Sequence, residues 1–123
     1  MHKFKELKVW QEAMELTKMV YKTTALFPNE EKFGLISQLN RAAVSVPSNI
    51  AEGAGRESNK EFLQFLNIAL GSAFELETQI ILAHSFGFIT NESFSQLADQ
   101  VNKIQRMINS FRTTLIKRIS TNN

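Results

Sequence analysis

Residues 37 to 62 read SQLNRAAVSVPSNIAEGAGRESNKEF, and no other stretch restricts the fold as much. Leu35, Leu39, Ala42, Val46 and Ile50 recur at steps of three and four, which places them along one face of a helix. Beside them runs a second stripe, Ser37, Arg41, Ser45, Ser48 and Glu52, polar and mostly small. Pro47 lies inside this pattern. It has no amide to give the carbonyl of Ala43, and its ring crowds that carbonyl, a defect of about 3 kcal/mol in an ordinary helix interior. The apolar register passes the proline without a slip, so the spacing predicts one helix, kinked at Pro47. Gly53-Ala54-Gly55 predicts its end, through the left-handed conformation that glycine accepts. Ser58-Asn59-Lys60-Glu61 predicts the next start as a capping box, with the Ser58 hydroxyl on the amide of Glu61 and the Glu61 carboxylate reaching back.

The rest of the chain extends the same rhythm. A first helix over residues 6–26 has Val9, Ala13, Leu16 and Val20 as its seam, with Trp10, Met14, Thr17 and Tyr21 alongside. Phe27-Pro28-Asn29-Glu30 is a turn, because a proline disfavours helix at the residue before it. The second helix spans residues 31–52. A third, over 60–86, carries Phe62, Leu66, Ala69, Ala73, Leu76, Ile80 and Ala83 in alternating steps of four and three. Gly87 ends it. The fourth, over 91–119 and capped by Thr90 or Asn91, repeats the pattern with Phe94, Leu97, Val101, Ile104, Ile108, Phe111 and Leu115. Residues 120–123 read as a frayed end. Four amphipathic helices on short connections predict an all-α, antiparallel, up-and-down four-helix bundle in a single domain, residues 1–123.

One bundle needs one apolar stripe per helix, yet the second and third helices carry two usable faces each. Leu63, Phe65, Leu70, Phe74 and Ile81 widen the third helix's stripe so far that something outside the bundle must cover part of it. Further copies in a ring would do so, since a heterologous interface uses two different patches on each subunit.

Composition narrows the function classes. With 123 residues the chain can bury roughly two thirds of its unfolded surface without staples. The absence of cysteine fits a reducing compartment. No long uninterrupted apolar run occurs and the opening MHKFKELKVW has no signal core, so the expectation is a cytoplasmic protein with no membrane partner. Net charge is +2, unevenly spread: Lys103, Arg106, Arg112, Lys117 and Arg118 follow Asp99 with no acid among them. That end invites a polyanion.

In the bundle topology Lys3, Lys5, Lys8, Arg56 and Lys60 gather at one pole with Arg112, Lys117 and Arg118. Lys103, Arg106 and Lys117 lie on the fourth helix opposite its seam. These ten are the candidate nucleic-acid contacts. Glu6, Glu52, Glu57 and Glu61 dilute the field there, and Glu30, Glu31, Glu92 and Asp99 make the other pole acidic. Arg41, Glu75 and Glu77 sit in strongly apolar helices, which makes them candidates for a partly buried ion pair that fixes register or a subunit contact. With Ser45, Ser48, Asn49 and Glu52 they form the set of interface or structural polar residues. Catalysis finds little support. A di-iron bundle needs a Glu-x-x-His pair on each of two helices, but only His2 and His84 exist and Ile81 stands three before His84. Gly53-Ala54-Gly55 lacks the rest of a phosphate-loop pattern, and no histidine or lysine that could act as base stands at helical spacing from Ser37, Ser45 or Ser48. The expectation is no enzyme, no metal and no cofactor.

The stretches FGLISQLNRAAVSVPSNIAEG and GSAFELETQ, and residues 6–90 more broadly, resemble the four-helix bundle proteins named after the 23S rRNA intervening sequences of some bacteria. Bundle periodicity alone would not dictate Arg41, Pro47, Asn49, Glu52 and Gly53 together. The resemblance implies an antiparallel bundle assembled as a homopentamer, with no enzymatic activity established for the family. Its relatives include the accessory protein of diversity-generating retroelements, a basic pentameric barrel that binds a reverse transcriptase and nucleic acid. The leading expectation is therefore an RNA-associated or ribonucleoprotein scaffold, whose partners are RNA or a nucleic-acid-processing protein. The alternative is a protein-interaction module without nucleic-acid binding, docking through Arg41, Ser45, Ser48 and Glu52 or through the channel of the ring.

Overall fold

The seams become the core. The computed structural model describes residues 2–121, and every regular element among them is helical: α1 (Lys8–Thr24), α2 (Leu35–Ala54), α3 (Asn59–Ser85) and α4 (Asn91–Thr121). Val9, Ala13, Leu16 and Val20 of α1 are buried, as is the whole α3 seam from Phe62 to Ala83. On α4, Leu97, Val101, Ile104, Ile108 and Leu115 are buried, while Phe94 and Phe111 are half-buried. Each helix packs on two others, α2 between α1 and α3, α4 between α3 and α1. Thr17 reaches Ala43 and Thr24 reaches Asn40, while Arg112 reaches Asn67 and Gln105 reaches Glu77. Along each pair, numbering rises on one helix as it falls on the other. Of the expected frayed end, Ser120 and Thr121 belong to α4, and Asn122 and Asn123 lie outside the described residues.

The helix ends differ from expectation in ways that have local causes. The chain enters α1 through a single 3-10 turn, Phe4–Glu6, and an extended Leu7, so the helix starts at Lys8 instead of residue 6. A second 3-10 turn, Asn29–Glu31, follows Pro28, and α2 begins only at Leu35. α2 continues to Ala54, so Gly53 lies inside it and Gly55 is right-handed at φ −81°. Gly53 is needed for space: a Cβ there would stand 2.6 Å from the Cβ of Phe65 and 2.8 Å from Cδ1 of Phe62. The left-handed glycine is Gly87, at φ +84°, where the amide of Phe88 donates to the carbonyl of Ala83 at 3.0 Å and closes α3. Ser58 caps α3 by accepting the amide of Glu61 at 3.1 Å; the reciprocal bond from Glu61 is absent among the described residues. Thr90 caps α4, accepting from the amide of Ser93 at 3.1 Å.

Pro47 is buried within an uninterrupted α2. The hydroxyl of Thr17 in α1 lies 3.1 Å from the carbonyl oxygen of Ala43 and 2.9 Å from that of Ala13. The acceptor that the proline cannot serve thus shares one hydroxyl proton from the neighbouring helix with the Ala13 carbonyl.

α3 is long and apolar enough, by length and composition, to cross a membrane, and here it stands between α2 and α4 with its seam buried. Its outward side carries large apolar residues among polar ones such as Gln64, Asn67, Glu75 and Thr78. Ile68, Phe74, Ile81, Leu82 and Phe86 are 44–61% exposed, and Val44 of α2 is 40% exposed.

Candidate nucleic-acid interface

The chain ahead of α1 is pinned across the bundle's end. The amide of His2 donates to the carbonyl of Ala54 at 2.8 Å, and its ring packs on Phe62 and Phe111 with centroids 5.0 and 5.9 Å away. Burial, and after it the surrounding positive charge including Arg118, holds the imidazole below the ordinary histidine range. His2 therefore stands at one end of a groove of about 550 Å³ between the first turn of α1 and the second half of α4.

Val9, Met107 and Phe111 give the groove an apolar floor, and Lys8, Lys103, Arg106 and Arg118 give it a cationic rim. All four rim residues are exposed. On α4 the lining residues step from Lys103 through Arg106, Met107, Ser110, Phe111 and Thr114 to Arg118, which is one helical face. Lys103 is ion-paired with Glu12 of α1, whose backbone oxygen also accepts from Gln100 Nε2 at 3.1 Å. The bond from Lys103 to the Glu12 carboxylate, then that from Gln100 Nε2 to its Oε1 at 3.4 Å, holds the carboxyl below the usual carboxylate range. Among the described residues Lys8, Arg106 and Arg118 form no ion pair, although Lys8 lies close enough to Glu12 for its charge to help lower that carboxyl, so three cations free of direct pairing face one groove.

Four of the ten expected cations thus converge, and the other six do not. Arg56 pairs with Glu52 at 3.2 Å and lies over the Phe65 ring at 4.8 Å. Arg112 donates to Asn67 at 2.6 Å and to Asn109 at 2.9 Å. Lys3, Lys5, Lys60 and Lys117 are exposed outside the groove. Lys103, expected on the side of α4 away from the seam, turns toward α1 and pairs with Glu12, while Arg106 is exposed, as expected, along the same groove. The sequence reading overlooked His2, Met107, Ser110 and Thr114 as lining; the recurrence of 103, 107, 110, 114 and 118 at steps of three and four was the signal that could have found most of them.

The expected ion pair of Arg41 with Glu75 or Glu77 does not form among the described residues. Arg41 and Glu75 are both exposed, at the rim of a second groove of about 410 Å³ shared with Ser45 and Ser72, and water meets their charges there. Glu77 instead accepts from Gln105 Nε2 at 3.0 Å. Nor does α2 present one continuous polar stripe. Ser45 turns into the contact with α3, its hydroxyl 2.8 Å from that of Ser72, and Asn49 donates back to Ser45 at 2.8 and 3.0 Å. Ser48 is exposed beside Trp10, and Glu52 is held by Arg56. No group of three or more His, Cys, Asp or Glu residues able to hold a metal ion occurs among the described residues.

The family model for the 23S rRNA-intervening sequence protein matches residues 5–110. No curated protein matches the chain. Among solved structures, it is similar to the crystal structure of a protein with unknown function from the S23 ribosomal protein family of Bacteroides thetaiotaomicron. The two are 27% identical with a TM-score of 0.79, and the match covers 85% of this chain and 97% of that one.

Proposed function

The chain belongs to the 23S rRNA-intervening sequence protein family, and from that membership we propose that it is a non-enzymatic, oligomeric RNA-associated scaffold whose α1–α4 groove contacts phosphate. The observation that carries this reading is the convergence on one groove of Lys8, Arg106 and Arg118, which form no ion pair among the described residues. Phosphate contacts of this kind supply sequence-independent affinity and release counterions. The exposed apolar side of α3 supports assembly with further copies, a ring of five being the number the resemblance implies.

Fluorescence anisotropy with a structured RNA tests it. Engagement of three phosphates gives a log–log slope of affinity against salt of about −2 to −3. The variant Lys8→Ala/Arg106→Ala/Arg118→Ala flattens that slope. Affinity unchanged across salt, or no binding, removes the reading.

The groove bearing Arg41 and Glu75 favours a second reading, a protein-interaction module, because it offers one charge of each sign beside a Ser45–Ser72 polar floor. A partner retained after nuclease treatment in a pull-down favours this second reading over the first.

A further inference from the structure

We infer that the groove between α1 and α4 seats an unpaired nucleotide of single-stranded RNA, its base on the apolar floor and its flanking phosphates on the cationic rim. This rests on the RNA reading above and goes beyond it by naming the form of RNA the site takes.

A cationic rim alone would suit any polyphosphate backbone, duplex included, because phosphate contacts position a nucleic acid without reading it. The floor is what discriminates. A duplex keeps its bases stacked inside, so its backbone could bridge the rim while leaving Met107 and Phe111 wet. An unpaired base has a free π-face to lay on them.

The site is built to keep that floor in place. Phe111 is buttressed by Phe62 at 5.1 Å and by the His2 ring at 5.9 Å, so its ring has little freedom to turn away. Phe62 is itself almost fully buried. His2 is fixed by its bond to Ala54 and, with its affinity for a proton lowered, is a neutral ring at neutral pH, suited to stacking more than to neutralising phosphate. Ser110 stands exposed on the same face and offers a hydroxyl to a base edge. Arg106 and Arg118 stand about 18 Å apart along α4 at 1.5 Å per residue, so the rim follows the backbone of a strand of a few nucleotides that runs past the seated base. The groove's volume, about 550 Å³, lies within the range of roughly 300–1,000 Å³ typical of small-ligand sites, large enough for a base and its sugar.

The experiment titrates the full chain against three RNAs of one length at one salt concentration. They are a single strand, the same strand annealed to its complement, and a strand of abasic sites that keeps the phosphates and lacks the bases. The single strand is expected to bind at least tenfold tighter than either of the others. Phe111→Leu, which keeps an apolar side chain and removes the π-face, is expected to lower single-strand affinity about tenfold and leave the duplex unchanged. Arg106→Ala lowers affinity for all three. Equal affinity for the strand and for the duplex or abasic RNA overturns the seated base while the phosphate reading stands. Binding of none of the three overturns both. The abasic comparison uses the unaltered chain, so it decides the matter even if Phe111→Leu unfolds.

Discussion

Thr17 is the residue on which the central proline depends. Pro47 leaves the Ala43 carbonyl without its helical donor, and the Thr17 hydroxyl, 26 residues away in sequence, lies 3.1 Å from it. An acceptor orphaned inside the bundle costs about 1–3 kcal/mol, so Thr17→Val is expected to lower stability by that order in urea unfolding. Pro47→Ala restores an amide to Ala43. In that background Thr17→Val costs less than half as much, and the double-mutant cycle reads the coupling. Additive losses would show that the hydroxyl does not serve this carbonyl. The sequence made half of this legible. A proline inside an unbroken apolar register announces an orphaned carbonyl, but a threonine on another helix carries no mark of the partner it will find. Arg41 shows the opposite failure. Its apolar neighbourhood in sequence suggested a buried ion pair, whereas the helix turns it to the rim of a groove, where nothing forces it to pair.

The α2–α3 connection shows how an element can be placed correctly for the wrong reason. Gly53-Ala54-Gly55 reads as a terminator through left-handed glycine, yet α2 runs through Gly53 to Ala54, Gly55 is right-handed, and Gly53 is buried against α3. A sequence shows that glycine stands at a position but does not show whether conformation or space demands it. The structure separates the two. At Gly53 an added Cβ meets Phe65 Cβ at 2.6 Å and Phe62 Cδ1 at 2.8 Å, whereas at Gly71, within α3, nothing lies within 4 Å. Gly53→Ala is expected to lose about 1–3 kcal/mol to overpacking, outweighing the roughly 1 kcal/mol that alanine gains as a helix former. Gly71→Ala is expected to gain about 0.5–1 kcal/mol. Thermal unfolding of the two variants should therefore move in opposite directions, and shifts of the same sign would contradict the assignment. Helix starts were less legible than helix cores. Whether the residues before Lys8 and Leu35 form 3-10 turns or α-helix depends on a few dihedrals that no apolar periodicity encodes.

At the scale of the whole molecule the bundle was legible because each helix writes its own seam into the sequence, and those seams are what the structure buries. The groove was not. It joins the first turn of α1, the second half of α4 and a histidine held by the end of α2, segments that only the packed fold brings together. Surplus apolar surface was legible only in part: of the five residues expected to widen the α3 stripe, Phe74 and Ile81 remain 48–49% exposed while Leu63, Phe65 and Leu70 are half-buried, and Ile68 and Leu82, which that reading did not name, are 44–51% exposed. Four large apolar residues half exposed on one helix, with polar residues between them, are surface that a neighbouring copy could cover. Further copies of the chain would hide it by an interface that joins unlike patches and closes into a ring. Light scattering coupled to size-exclusion chromatography tests this most directly. The expected result is a particle several times the 14.0 kDa chain, five times by the family resemblance, that loses mass when Phe74→Glu and Ile81→Lys are introduced. A constant mass of 14.0 kDa at every concentration would contradict it.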